Sequence, residues 1–192
     1  MALSTEERSY LLNLAREAIA HAARGEDPPT VDMGRVPEGL RREGASFVTL
    51  NKHGRLRGCI GSLEARRSLV RDVQQNALGA AMRDPRFPAV RPEEVDELTI
   101  ELSVLSQPEP LSYDGIDDLC RKLRPGVDGV VIERGWQRAT FLPQVWEKLG
   151  DERQFLQRLC LKAGLTPQAY ASGDLDVYTY QVEKFREEEL SS

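Results

Sequence analysis

The sequence predicts an α+β protein in which mostly antiparallel strands pair and helices pack on the sheet. Two segments have the same order of elements: a hairpin, a helix and a strand at residues 46–105, and a hairpin, two helices and a strand at residues 128–185. Short glycine-containing turns separate the two arms of each hairpin, which is typical of antiparallel pairs. The shared order is explained either by an ancient duplication of a hairpin-helix-strand unit or by coincidence, since no residue-level repeat is visible.

The first predicted element is a helix over residues 5–23. Ser4 and Glu7 have the spacing of a capping box, and apolar residues then recur every three or four positions until Gly25. A long segment without clear periodicity follows up to Gly44, and long loops of this kind often bind ligands or cover sites.

A hairpin is predicted next, with arms at residues 47–50 and 55–60. Helical spacing then predicts a second helix that starts near residue 69 and ends near Arg83, because Asp84-Pro85 prevents its continuation. Alternation of apolar and polar residues over 98–104 predicts a strand with one buried face.

The second half of the chain contains the same kinds of signal. The predicted elements are a short helix capped by Asp114, a hairpin at 129–133 and 137–142, helices that open at Pro143 and Asp151, and a closing strand over 177–185.

The length favours one domain over residues 1–192 that consists of two lobes. We expect the lobes at about 1–110 and 111–186, and a frayed tail at 187–192.

Composition excludes several classes of protein. The hydrophobic and charged fractions, 40% and 30%, are those of a soluble globular protein, and no segment is apolar enough to span a membrane. Without a signal-like start, and with three widely spaced cysteines that do not suggest a disulfide framework, the expected compartment is the cytoplasm. The net charge of −5 argues against nucleic-acid binding.

The hexapeptide Leu56-Arg57-Gly58-Cys59-Ile60-Gly61, or LRGCIG, is the segment most suggestive of function. If the strand alternates regularly, Leu56 and Ile60 point into the core while Arg57 and Cys59 share the other face, about 7 Å apart. A guanidinium at that distance would favour the reactive thiolate. The alternative is structural, since an isolated strand cysteine is often a small buried apolar residue and strand glycines often mark a bulge.

This hexapeptide and its context closely resemble the signature of the AMMECR-type domain family. The resemblance continues through further motifs in the same order, namely Asp84-Pro85-Arg86-Phe87, Leu102–Ser106, Gly126–Gly129, Thr140–Val145 and Leu159–Gly164. It implies a two-lobed α+β fold with a groove near the hexapeptide, but no established activity. Prokaryotic single-domain members belong to the AmmeMemoRadiSam system, so the resemblance also implies a Memo-like protein and a radical SAM protein as partners.

Two functions remain open, and nucleic-acid binding is a weaker third. As a binding or accessory protein, the chain would use Arg57, Gly58, Gly61 and Arg86 to hold a small anion or a partner. As an enzyme, it would use Cys59 as nucleophile or redox thiol. Arg57 would then be the electrostatic partner of Cys59, and Asp84 or Asp128 would be the acid/base group.

Binding is the favoured function, because no complete catalytic set is visible. Histidine is the usual base for a catalytic thiol, and neither His21 nor His53 is an obvious partner of Cys59. The cysteine spacing does not indicate a metal site, and the sequence identifies no cofactor.

Overall fold

The computed structural model describes residues 2–187, which form an α+β fold with two four-stranded antiparallel sheets. Its elements, in chain order, are α1 (Thr5–Ala23), α2 (Glu38–Arg41), β1 (Ala45–Lys52), β2 (Arg55–Gly61), α3 (Leu69–Met82), a 3₁₀ helix (Pro92–Glu97), β3 (Leu98–Leu105), β4 (Glu109–Pro110), α4 (Gly115–Lys122), β5 (Gly129–Arg134), β6 (Gln137–Phe141), a 3₁₀ helix (Pro143–Lys148), α5 (Glu152–Lys162), a 3₁₀ turn (Ala169–Ala171), β7 (Asp176–Tyr180) and β8 (Val182–Arg186).

The chain divides into two compact units. Among the described residues, the first contains residues 2–105 and 183–187, and the second contains Ser106–Val182. Each unit has its own hydrophobic core.

In the first unit, α1 and α3 pack on a sheet whose strand order is β2-β1-β3-β8. Val48 and Leu50 lie on the same face of β1 and are fully buried. They join Ile100 and Leu102 of β3 and the apolar faces of both helices in one core, which holds the sheet against the helices by burying apolar surface. The strand β2, which carries the hexapeptide, is an edge strand of this sheet.

The second unit contains a sheet of order β4-β7-β5-β6, with α4 and α5 in its core. Phe155 of α5 is fully buried, and the ring of Trp146 stacks on it with the centroids 3.7 Å apart. The indole N–H donates to the backbone carbonyl of Asp128 at 2.7 Å, so this tryptophan is buried with its polar atom paired.

Most predicted elements are confirmed. The Ser4 side chain accepts a hydrogen bond from the backbone N–H of Glu7, and the Glu7 carboxylate accepts one from the backbone of Ser4, so the capping box begins α1 as expected. Both predicted hairpins are present, as β1–β2 and β5–β6. The sequence missed the short elements α2 and β4, and the segment after Pro143 is a 3₁₀ helix.

The predicted closing strand over residues 177–185 is in fact two strands in different sheets. It is interrupted at Gln181: β7 before it pairs with β5 of the second sheet, and β8 after it is placed beside β3 of the first. Alternation continues through the interruption, and so the local pattern contained no sign of it.

Within residues 2–187, no helix is long and apolar enough to cross a membrane. The tail predicted to fray, residues 187–192, lies outside the described residues except for Glu187.

Candidate functional site

The hexapeptide forms most of β2 and pairs with β1 through an irregular register. Cys59 lies opposite Thr49 and Gly58 opposite Leu50, but Leu56 lies opposite Asn51. The extra residue on β2 is therefore Arg57, and it forms a β-bulge.

The bulge reverses the expected orientation of Leu56. Thr49 and Asn51 are two residues apart on β1 and share a face, so Leu56 shares a face with Cys59. The Leu56 side chain is 42% exposed, and the prediction that it is buried is wrong. Ile60 lies on the helix side, where it packs against the core and contacts Gly79 of α3, as expected.

The Arg57 side chain is bound to residues of the segment that follows α3. Its Nε and Nη2 atoms donate to the Glu94 carboxylate at 3.3 and 3.0 Å, and its Nη1 and Nη2 atoms donate to the carbonyls of Pro88 and Ala89. The side chain is only 12% exposed. These bonds go to Glu94, Pro88 and Ala89 and not to the thiol, and the predicted role of Arg57 as the electrostatic partner of Cys59 stays a prediction.

Glu94 was not identified from the sequence, although it fixes the position of Arg57. It is 11% exposed and also binds Lys52 Nζ at 3.3 Å and the backbone N–H of Arg91 at 3.1 Å. The hydrogen bond from Arg57 is the largest factor that lowers the pKa of Glu94, to about 2. This contact joins residues 37 positions apart, and no local pattern encodes such a separation.

The exposed edge of β2 is covered by Asp84 and Arg86. The Asp84 carboxylate accepts a hydrogen bond from the backbone N–H of Cys59 at 2.8 Å and two from the Arg86 guanidinium at 2.7 and 3.0 Å. Arg86 Nη2 in turn donates to the Cys59 carbonyl at 3.3 Å. The pair thus satisfies both backbone groups of Cys59 that an edge strand would otherwise leave unpaired.

Asp84 is an acceptor that stays ionised. Its side chain is 1% exposed, and its pKa is held well below the ordinary range, mainly by the Arg86 guanidinium and then by the backbone N–H groups of Cys59 and Arg86. A carboxylate in this state has little tendency to accept a proton at neutral pH. Its role as acid/base group stays a prediction.

Arg86 is the arginine that is hydrogen-bonded to the backbone of Cys59. The Cys59 side chain is half-buried, and its Sγ lies 3.3 Å from Thr49 Oγ1. The pKa of Arg86 is raised, mainly by its hydrogen bond with Asp84. Chemically, the site offers a half-buried cysteine and a neighbouring hydroxyl beside a half-exposed guanidinium.

The two glycines of the hexapeptide have clear structural roles. A Cβ atom at Gly58 would overlap the backbone carbonyl oxygen of Ala80 in α3, and one at Gly61 would overlap the Phe47 ring. The glycines thus allow β2 to approach the helix on one side and the ring on the other. Their part in ligand binding, like that of Arg57 and Arg86, stays a prediction.

Asp128 belongs to the second unit and has its own partners. It is 2% exposed and accepts hydrogen bonds from the Arg124 guanidinium, the Arg124 backbone N–H and Gln181 Nε2. Burial raises its pKa most strongly, but the bonds from Arg124 and Gln181 outweigh burial and leave the pKa lowered. Asp128 therefore fixes the turn before β5.

The other candidate groups are placed as follows. His53 is at the tip of the first hairpin with Nε2 2.7 Å from Glu97, and His21 is 3.2 Å from Glu26, so neither ring is bonded to Cys59. Cys160 is fully buried and Cys120 half-buried, and burial raises the pKa of both thiols. No three His, Cys, Asp or Glu side chains among residues 2–187 form a group that could hold a metal ion.

The sequence matches a known family model over most of its length. The model of the AMMECR1 family matches residues 12–185, which include the hexapeptide, Asp84, Arg86 and Asp128. The chain belongs to the AMMECR1 family.

Relatives of this AMMECR1-family chain occur in archaea. A protein of Methanothermobacter thermautotrophicus is 41% identical over 187 residues, 97% of each chain, and one of Methanopyrus kandleri is 39% identical over 196 residues, 97% of this chain and 91% of the relative. The crystal structure of an uncharacterised protein of Pyrococcus horikoshii is similar with a TM-score of 0.75 and 35% identity, over 97% of this chain and 94% of that one. AMMECR1 membership thus supports the fold and assigns no reaction.

Proposed function

We propose that this AMMECR1-family protein is a binding protein that acts by docking to partner proteins. The observation that supports this function is the state of the charged side chains around Cys59. Arg57 is paired with Glu94 and Asp84 with Arg86, so these groups stabilise β2 and are not arranged as a proton-transfer set.

Catalysis by Cys59 remains the second candidate, and it has one observation in its favour. The thiol is half-buried rather than enclosed, with the Thr49 hydroxyl 3.3 Å away. A hydroxyl is a poor base for a thiol, however, and the neighbouring carboxylate of Asp84 is held in its ionised form by Arg86. Binding therefore fits the chemistry of the site better.

The proposed docking surface, which we name the Cys59 face, consists of Thr49, Leu56 and Cys59. These residues share one face of the β1–β2 hairpin, and Leu56 is 42% exposed on it. An exposed leucine beside a half-buried thiol gives a partner apolar area to cover, and buried apolar contacts near the centre of an interface contribute much of its affinity. Arg86, 53% exposed at the adjacent edge, can add a charged contact at the rim.

The partners that the family resemblance suggests are a Memo-like protein and a radical SAM protein. Purified candidates from the same organism can be tested directly for binding by biolayer interferometry. Leu56→Ser should weaken binding at least about tenfold, because it removes the apolar contact and leaves the strand pairing intact.

Leu161→Ser is the matched control, since Leu161 is a leucine of similar exposure, 48%, on α5 of the second unit. It should leave the dissociation constant unchanged. The proposal fails if neither candidate binds the unmodified protein, or if the two substitutions weaken binding equally.

A further inference from the structure

The first unit also contains a polar pocket whose lining includes no residue of the hexapeptide. An open pocket of about 540 Å³ lies where the segment after α1 meets the first turns of α3. Its lining consists of Pro28, Pro29, Thr30, Val31, Arg67, Arg71, Gln74 and Gln75. The lining includes two arginines and no acidic residue.

The two walls of this pocket are fixed to each other. Gln74 is 8% exposed, and its side-chain amide donates to the backbone carbonyl of Pro29 at 2.8 Å. Val31 packs against the core, and the rings of Pro28 and Pro29 restrict the backbone on that side. The pocket is therefore formed before any ligand arrives, which lowers the entropic cost of binding.

The helix wall is also held from behind by a buried polar network. The Asp72 carboxylate is 1% exposed and accepts hydrogen bonds from Ser46, Asn76 and Ser62. These bonds join the first turn of α3 to β1 and to the residue that follows β2. They fix the backbone from which Arg71 projects.

The two arginines differ in how far their charge is compensated. Arg67 Nε lies 3.5 Å from Asp72, an acceptor that is already shared with other donors. Arg71 is exposed, and within residues 2–187 its side chain has no hydrogen bond or ion pair. A guanidinium lining a pocket without such a partner is available to an anion.

Arg71 is more available to an anion than the arginines at and beside the hexapeptide, and this difference supports an anion site in the pocket. Arg57 is 12% exposed and bound to Glu94, and Arg86 is bound to Asp84. An anion at either would have to compete with a carboxylate of the chain itself. Arg71 has no such competitor among the described residues.

We propose that this pocket binds a small organic anion whose carboxylate or phosphate group is held by Arg71 and Arg67. A guanidinium group can form two parallel hydrogen bonds to either a carboxylate or a phosphate, and the side-chain amide of Gln75 can donate a further hydrogen bond. The rest of the ligand packs on Pro28, Pro29 and Val31, in keeping with the mixed apolar and polar lining of small-molecule sites. This site is separate from the Cys59 face.

The test is a titration of the ¹⁵N-labelled protein followed by NMR, with inorganic phosphate in one arm and benzoate in the other. Saturable shifts are expected at Thr30, Val31 and the amides of residues 67–75 in at least one arm, and the arm that binds more tightly identifies the oxyanion. Arg71→Gln should weaken binding at least about tenfold, the usual effect of losing a charge-assisted hydrogen bond.

Arg83→Gln is the matched control. Arg83 is an exposed arginine at the other end of the same helix, so the variant has the same net charge but leaves the pocket intact. Its affinity should equal that of the unmodified protein. The proposal is overturned if neither probe gives saturable shifts at tens of millimolar, or if the two variants lose affinity equally. Binding of Memo-like or radical SAM proteins at the Cys59 face is measured separately, so failure of one proposal is distinguishable from failure of the other.

Discussion

The carboxylate of Asp84 accepts a hydrogen bond from the backbone N–H of Cys59 at 2.8 Å, across 25 positions of the chain. Because Asp84 also binds Arg86, and Arg86 donates to the Cys59 carbonyl, one ion pair closes the open edge of β2 at the residue that carries the thiol. The Asp84-Pro85-Arg86-Phe87 motif and the hexapeptide are thus parts of one structure.

Asp84→Ala should destabilise the protein. It removes a buried carboxylate that accepts hydrogen bonds from the part-buried backbone N–H of Cys59 and from Arg86, and the loss of hydrogen bonds to a charged group typically costs about 1 to 3 kcal/mol. The free energy of unfolding can be measured with urea. Asp96→Ala, a control at an exposed acidic residue of the same unit, should change stability by less than about 0.5 kcal/mol. Equal effects of the two substitutions would contradict the proposed role of Asp84.

Glu94 should make stability depend on pH in the acidic range. Its folded pKa of about 2 is below its ordinary value of 4.5, so the ionised form contributes stability that is fully present above pH 4.5. That contribution is lost as the pH falls from 4.5 toward 2. Glu94→Gln should therefore destabilise the protein at pH 7, and the difference from the unmodified protein should shrink as the pH is lowered.

Urea unfolding of both proteins at pH 7, 5 and 3 measures this trend. Glu93→Gln is the control at the neighbouring carboxylate, whose side chain is 68% exposed, and should change the free energy of unfolding at pH 7 by less than about 0.5 kcal/mol. A Glu94→Gln difference that is independent of pH would contradict the assignment.

A second, compensating substitution should affect the stability cost of replacing Gly58 and Gly61 differently. Gly58→Ala and Gly61→Ala both introduce a Cβ into occupied space, and overpacking of this kind typically costs about 1 to 3 kcal/mol. At Gly61 the obstacle is the Phe47 side chain, whereas at Gly58 it is the backbone of Ala80.

Phe47→Ala should therefore offset part of the cost of Gly61→Ala and none of the cost of Gly58→Ala. Thermal or urea unfolding of the single and double variants gives both coupling energies. Similar coupling energies of Phe47 with Gly58 and with Gly61 would contradict this packing.

The three cysteines should differ in accessibility. Alkylation of the folded protein with iodoacetamide should label Cys59, which is half-buried, and should spare Cys160, which is fully buried with a raised pKa. Peptide mass spectrometry before and after unfolding measures both. Labelling of Cys59 only after unfolding would contradict its accessibility and would remove the remaining support for a catalytic thiol.

Serine substitutions at Cys59 and Cys160 compare the environments of these two thiols through the free energy of unfolding. Ser at position 59 can hydrogen-bond to the Thr49 hydroxyl, so Cys59→Ser should change the free energy of unfolding by less than about 0.5 kcal/mol. Cys160→Ser places a hydroxyl in the apolar core and should cost about 1 to 3 kcal/mol. Thermal melts compare the two, and a larger loss at Cys59 would indicate that its site is apolar.

The sequence by itself determined the elements that depend on neighbouring residues. The capping box at Ser4 and Glu7 predicted the start of α1, and alternation predicted β3 and both hairpins. Asp84-Pro85 predicted the end of α3. Caps, turns and periodicity act over a few residues, so they can be recognised without knowing the fold.

The tertiary structure decided which groups meet. The bulge at Arg57 depends on the register between β1 and β2, and it turned Leu56 outward and Arg57 toward Glu94. The interruption at Gln181 depends on which sheet each half of that segment joins. Alternation specifies two faces but neither the partner strand nor the register, and these are set by the packing of distant residues.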